Sequence, residues 1–376
     1  MHSNGNTNKI GFIIIGLISF LVALSPAYGQ IEYGRPASGG TQFFYSHWSL
    51  EDSSGTTEIN QLTIPVRGFI PIHDNLEALF YVAHSSSDLE YSNADSSLSG
   101  LADMRLQLNH SFSDDQLLLS VGINLPTGKK KLNRNEELPV LRMLSQNYLS
   151  FPMRRFGEGF GFNVLLGGAQ MLGELRCGAG LMYQYNGSYK PWEDTGKYNP
   201  GDFVSINAGA DWQKEEMTFT FNAVFTAYAD DQFEGNKVFT QSTQLGLNLA
   251  AAYDGRNYDV STGIGYLLRG RNTFYDPDKG DREGHVFGNE FEIRGYLTRH
   301  LQQSWYVTPS AELKLVGAND LGFGSSTIFG FGGAVGRTLS EQFAINFGGK
   351  YFIGNADGGA IDLTGFQLTA SLTANL

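Results

Sequence analysis

From Thr41 to the C-terminus, segment after segment alternates apolar with polar or small residues, and each segment is closed by a short turn cluster. Between residues 117 and 125, Leu117, Leu119, Val121, Ile123 and Leu125 share one face, while Ser120, Gly122 and Asn124 share the other. A period of two belongs to a strand, whose successive side chains point to opposite faces; a helix repeats near 3.6. The same alternation sets Ala102, Met104, Leu106 and Leu108 against Asp103, Arg105, Gln107 and Asn109. It sets Met217, Phe219, Phe221, Ala223 and Phe225 against Thr218, Thr220, Asn222 and Thr226, and Trp305, Val307, Ala311, Leu313 and Leu315 against Thr308, Ser310, Glu312 and Lys314. An Arg or Lys on a lipid face at mid-membrane costs about 2–4 kcal/mol, so the polar set is assigned to an interior and the apolar set to lipid.

Counting the alternating segments predicts an all-β fold, an antiparallel transmembrane β-barrel of about 16 strands, with about 14 as the alternative count. Short turns are expected at 73–75, 113–115, 173–174, 214–216, 254–257, 299–300 and 340–341. Longer connections are expected at 51–57, 88–99, 129–157, 190–201, 230–237, 271–284, 317–324 and 355–359. Short and long connections alternate along the chain, as tight periplasmic turns and longer outer loops do in such a barrel.

Composition agrees with an apolar exterior around a polar interior: charged residues make up 17% and aromatics 13% of 376 residues, and mean hydropathy is −0.21. The opening residues carry Lys9 ahead of an apolar run from Ile10 to Leu24 and the small-x-small site Ala27-Tyr28-Gly29, which predicts a signal peptide over 1–29 and a barrel over 30–376. Export and strand pattern together place the chain in the outer membrane of a Gram-negative bacterium. Cys177 has no partner for an intramolecular disulfide and is read as a wall residue. A net charge of −12 argues against nucleic acid as a partner, which calls for basic patches. Aromatics near strand ends, among them Phe43, Trp48, Tyr183, Trp212, Tyr258, Trp305, Tyr351 and Phe352, read as an interfacial girdle.

The longest connection, 129–157, follows Leu125-Pro126-Thr127-Gly128 and opens with Lys129, Lys130 and Lys131. Residues 139–149, with Val140, Leu141, Met143 and Leu144, suit a short apolar helix that favours burial in the lumen over water. Lys129, Lys130, Lys131 and Arg142 are therefore candidate constriction-loop residues, with lipopolysaccharide-phosphate binding or a plain solvated loop as the alternatives. Asp103, Arg105, Glu290, Glu292, Arg294, Glu312, Lys314 and Lys350 fall on inward positions with mixed sign, either setting selectivity or pairing to stabilise a filled lumen. Asp276, Asp278 and Asp281 near Gly280 lack the spacing and terminal Glu of a calcium loop, and the glycines from Gly330 to Gly336 lie in strand pattern, where close packing accounts for them. None of the seven histidines has a local Ser or carboxylate arrangement diagnostic of a nucleophile or metal site, so neither a catalytic residue nor a metal or cofactor is assigned.

The run Gly100-Leu101-Ala102-Asp103-Met104-Arg105-Leu106, followed by Gly122-Ile123-Asn124-Leu125-Pro126-Thr127-Gly128-Lys129, resembles the outer-membrane barrels of the meta-pathway of phenol degradation, over roughly 57–130. The family pattern has Gly-x-Gly-Asp where this chain has Gly100-Leu101-Ala102-Asp103. The resemblance implies a porin-like transporter for small hydrophobic or aromatic molecules, and no binding residue carries over. Outer-membrane barrels as a class end on an aromatic residue read by the barrel-assembly machinery; here Leu376 takes that place. The expected partners are outer-membrane lipid, that machinery and a small-molecule solute, and a homo-oligomer is compatible with the pattern. Passage of a small molecule is the leading functional reading; a non-conducting structural or surface-binding barrel is the second, and a barrel hydrolase the third.

Overall fold

The computed structural model describes residues 36–91, 94–112, 116–276, 278 and 280–375. The expected signal segment lies outside these residues, as do the 113–115 turn and Leu376. In chain order the first elements are β1 (Ser38–Asp52), β2 (Gly55–His73), β3 (Leu76–Tyr91), β4 (Ala94–Leu101), β5 (Met104–Phe112), β6 (Leu117–Leu125), the helix α1 (Glu137–Leu144), β7 (Gly161–Leu172), β8 (Leu175–Asn186), β9 (Tyr198–Asn199), β10 (Phe203–Lys214) and β11 (Met217–Tyr228). They continue with β12 (Asp230–Phe233), β13 (Asn236–Thr240), β14 (Gln244–Asp254), β15 (Tyr258–Arg269), β16 (Asn272–Phe274), β17 (Arg282–Gly284), β18 (Glu290–His300), β19 (Trp305–Val316), β20 (Ser326–Thr338), β21 (Phe343–Ala356) and β22 (Ile361–Asn375).

β1 pairs antiparallel with β2 on one side and with β22 on the other, from Ser38↔Asn375 to Glu51↔Asp362. The last strand is thereby returned to the first and the sheet closes, which leaves the wall without an unpaired strand edge. β4 and β5 both pair with β3 and are two pieces of one strand broken at Ala102 and Asp103, so the ring is a closed antiparallel barrel of 16 strands. Alternation sorts the faces as expected: Leu166, Leu181, Ile206, Phe347 and Leu368 are exposed on the outside, while their chain neighbours Leu165, Met182, Ser205 and Gln367 are buried within.

Several connections expected to be loops are strand. β1 and β2 pair as far as Asp52↔Gly55, and β3 and β4 as far as Tyr91↔Ala94, so 51–57 and 88–99 are the tips of long hairpins. Polar Ser, Thr and Asp side chains mark solvent, and a solvated strand satisfies its backbone as well as a loop does. Within 190–201, 230–237 and 271–284, short strands β9, β12, β13, β16 and β17 form a second, separate five-stranded sheet.

Trp48 and Phe352 depart from the girdle assignment. Both point inward, their rings 5.1 Å apart, and Trp48 is 0% and Phe352 1% exposed. One row across the wall explains the fit: Gly330↔Phe352 and Gly365↔Trp48 are paired positions on neighbouring strands. A Cβ on Gly365 would lie 2.7 Å from the Trp48 ring, and one on Gly330 would lie 2.7 Å from the Phe352 ring, so each glycine leaves the space that a large ring occupies. Phe43, Trp212, Tyr183, Tyr258 and Tyr351 stay exposed on the outer face.

Candidate functional site

Residues 129–157 fold against the inside of the wall, and one carboxylate holds the two ends of this loop together. Asp103, at the break between β4 and β5, accepts the backbone N–H of Gly128 at 2.8 Å on one oxygen and those of Glu158 at 2.7 Å and Gly159 at 3.1 Å on the other. The Asp103 N–H in turn donates to the Phe156 carbonyl at 3.0 Å, and that of Lys129 to the Leu101 carbonyl at 3.1 Å. The chains cross closely here: a Cβ on Gly157 would lie 2.7 Å from the Gly128 carbonyl carbon. Thus Pro126-Thr127-Gly128 ends β6, and Asp103 fixes where the loop leaves and returns.

The apolar character of the loop is used in burial. α1 occupies 137–144, slightly earlier than the expected 139–149. Val140, Leu144 and Leu149 are fully buried, and Tyr148, Phe151, Met153 and Phe156 nearly so, in one cluster with Trp48, Ile59, Leu89, Leu98, Phe352 and Leu363 of the wall. Burying each large apolar side chain contributes about 1.5–3 kcal/mol. This explains why inward positions on these strands are apolar although the rest of the lumen is polar. Polar wall residues complete the docking. The Gln61 amide donates to the Met153 carbonyl at 2.7 Å and accepts its N–H at 3.1 Å, Gln367 donates to the Ser150 carbonyl at 3.0 Å, and Lys314 donates to the Asn147 carbonyl. Asn147 donates to Glu290 at 3.1 Å. Burial pushes the Tyr148 hydroxyl up to about 12, with the Asp357 carboxylate adding to the shift, so the ring stays neutral in the core.

Most of the predicted lumen charges meet on one side. Strand register sets Glu292 opposite Lys314 and Arg294 opposite Glu312. Arg294 pairs with Glu292, Lys350 with Glu312 at 2.5 Å, and Lys314 with Glu290 at 3.5 Å. Glu290 also binds Arg269 at 2.6 Å, a residue the alternation alone does not mark because it ends its strand. Arg105 stands apart, exposed to the lumen, and Asp103 serves the loop neck. Of the loop lysines, Lys129 pairs with Glu137 and donates to the Ser99 carbonyl at 3.3 Å, while Lys131 and Arg142 are exposed and Lys130 is half-buried.

Two further arginines of the loop, Arg154 and Arg155, were not among the candidates. The Arg155 side chain is 71% exposed, pairs with Glu158 at 2.8 Å, and lies within electrostatic reach of Tyr189 and Tyr228. Arg154 donates to the Leu149 carbonyl at 3.2 Å and lies near Glu290 and Arg269. Their position shortly before the closing Gly157 places them beside the neck, and that is the one signal the sequence holds for them. Among the described residues, no group of three His, Cys, Asp or Glu side chains could hold a metal ion.

No protein-family model and no curated relative matches this chain. The solved structures similar to it are outer-membrane porins. OccK7 (OpdD) of Pseudomonas aeruginosa is 10% identical, with 90% of this chain and 98% of that one covered at a TM-score of 0.43. OccAB4 of Acinetobacter baumannii has the same identity, coverage and TM-score. An anion-selective porin from Comamonas acidovorans is 11% identical over 90% of this chain and 99% of that one, with a TM-score of 0.42. At such distances no residue role passes from them to this chain, and the barrel is read from its own strand pairings.

Proposed function

We propose that this chain is an outer-membrane channel for the passive passage of small solutes, exported by a cleaved segment over 1–29 and narrowed by the 129–157 loop. One observation carries the reading: the loop is pinned to one side of the lumen by an apolar core and by Gln61, Gln367 and Lys314, while Arg105 and Arg155 inside the same barrel remain open to solvent. A filled lumen would have taken both groups out of water, Arg155 together with its partner Glu158, and a charge without water is strongly penalised. Passage of aromatic solutes is what the family resemblance implies. No covalent step belongs to this mechanism; selection comes from width and from the charge lining the path. Liposome swelling with reconstituted protein tests it. Influx of small uncharged solutes that slows with increasing solute size is expected, and liposomes as tight as protein-free ones would refute the channel.

A further inference from the structure

Charge and loop contacts divide the wall into two arcs. On β18, β19 and β21 the inward acids and bases pair with one another, and the buried wall residues in the apolar core under the loop come from β1 to β4 and from β19 to β22. None comes from β6, β7, β8, β10, β11, β14 or β15, so the path past the loop runs along these strands. β6, β7 and β11 contain no charged residue. The charges of the others, Arg176, Asp211, Lys214, Asp254, Asp259 and Arg269, stand near strand ends.

Between those ends the arc is lined by amides, each set beside a glycine of the neighbouring strand. Register pairs Asn163 with Gly122, Asn207 with Gly180, Asn222 with Gly209 and Asn248 with Gly265. Ile206 and Ala208, on either side of Asn207, are exposed on the outer face, so the amides belong to the inner one. A Cβ on Gly122 would lie 2.7 Å from the Asn163 amide, and one on Gly180 would lie 2.8 Å from that of Asn207. The corresponding distances are 3.8 Å at Gly209 and Asn222 and 3.3 Å at Gly265 and Asn248. Each asparagine thus lies along the wall, in the space its glycine leaves. Asn222 and Asn248 also face each other in register, the first half-buried and the second exposed. Asn207 is 8% exposed, and among the described residues neither its amide nitrogen nor the buried amide oxygen of Asn222 has a hydrogen-bond partner. A buried polar group left unpaired costs about 1–3 kcal/mol, and a molecule in the lumen that supplies the partner relieves that cost. An amide both donates and accepts, as a hydroxyl does, and it carries no charge.

We infer that this asparagine–glycine wall selects uncharged, polyhydroxylated solutes, its amides replacing the water that such a solute sheds where the loop narrows the path. The inference rests on the channel reading, and swelling of liposomes that hold the full chain separates the two. Ribose and triethylene glycol are uncharged and of equal mass, the first compact and crowded with hydroxyls, the second slender. A pore that only sieves passes the slender glycol faster; the amide wall is expected to pass ribose faster. N222A/N248A sharpens the contrast, because it widens the path while removing two amides that face each other. Sieving alone would then speed both solutes. The amide wall predicts that the ribose-to-glycol rate ratio falls about threefold or more, the scale of one lost hydrogen bond. Asn248→Ala alone, at an exposed position, should lower the ratio in the same direction and serves if the double variant does not fold. Faster glycol than ribose in the wild type, or an unchanged ratio in a variant that keeps heat-modifiable electrophoretic mobility, would overturn the wall's selectivity and leave the channel standing. Liposomes tight to both solutes would overturn the channel reading and the selectivity with it.

Discussion

Gln61 and Met153, 92 positions apart in sequence, are joined by two hydrogen bonds between one side-chain amide and one backbone residue, at 2.7 and 3.1 Å. The pair fixes the return limb of the loop to β2 at a fully buried site. Gln61→Leu removes both partners of Met153 and leaves its N–H and carbonyl buried and unpaired, a cost of about 1–3 kcal/mol for each group left so. The barrel should still form, with a lower unfolding temperature and faster proteolysis within 145–158, checked by heat-modifiable mobility and mass mapping of the cuts.

Gly157→Ala tests the neck from the steric side. The added methyl would press on the Gly128 carbonyl carbon, 2.7 Å away, and both glycines are backbone-to-backbone at that point. The chains must part, so hydrogen exchange at Gly128, Glu158 and Gly159 should accelerate while exchange in β10 and β11 stays unchanged.

Leu149→Ala tests whether the loop core is a packed core. Leu149 is 0% exposed, and truncating such a leucine costs about 2–5 kcal/mol where the site does not collapse. Deleting 129–157 outright is the poorer experiment, since it would leave Trp48, Ile59, Leu98, Phe352 and Leu363 facing water. A loss of Trp48 burial, seen as a red-shifted emission, is expected in Leu149→Ala.

The five-stranded sheet that holds β12 and β13 should respond to acid. Asp230 is held below the ordinary carboxyl value of 3.8 by hydrogen bonds from Lys237 and Thr240, which favour the charged form. A lowered native value means that its contribution is full above 3.8 and is lost as pH falls through the lowered value. Amide exchange in β12 and β13 should therefore rise at strongly acid pH, and Lys237→Met should move that rise to higher pH.

The barrel was legible because a wall with one apolar and one polar face forces a strict period of two, visible even in a short run such as 104–109. The loop was legible too, from Pro126-Thr127-Gly128 and an apolar stretch too long for a turn. Trp48 and Phe352 misled because an aromatic near a strand end suits an interface, although Trp48 shares its phase with Ser46, an inward residue. The bonds from Gln61, Gln367 and Lys314 to the loop link segments far apart in sequence and leave no local trace, so the docking itself was invisible.

Single-channel recording of the wild type beside Asp103→Ala tests the central claim, that the lumen is open and the pinned loop sets its width. Removing the carboxylate that gathers Gly128, Glu158 and Gly159 should release the neck. Discrete steps in the wild type, and larger, noisier steps in a folded Asp103→Ala barrel, are predicted; electrical silence in both would contradict the account.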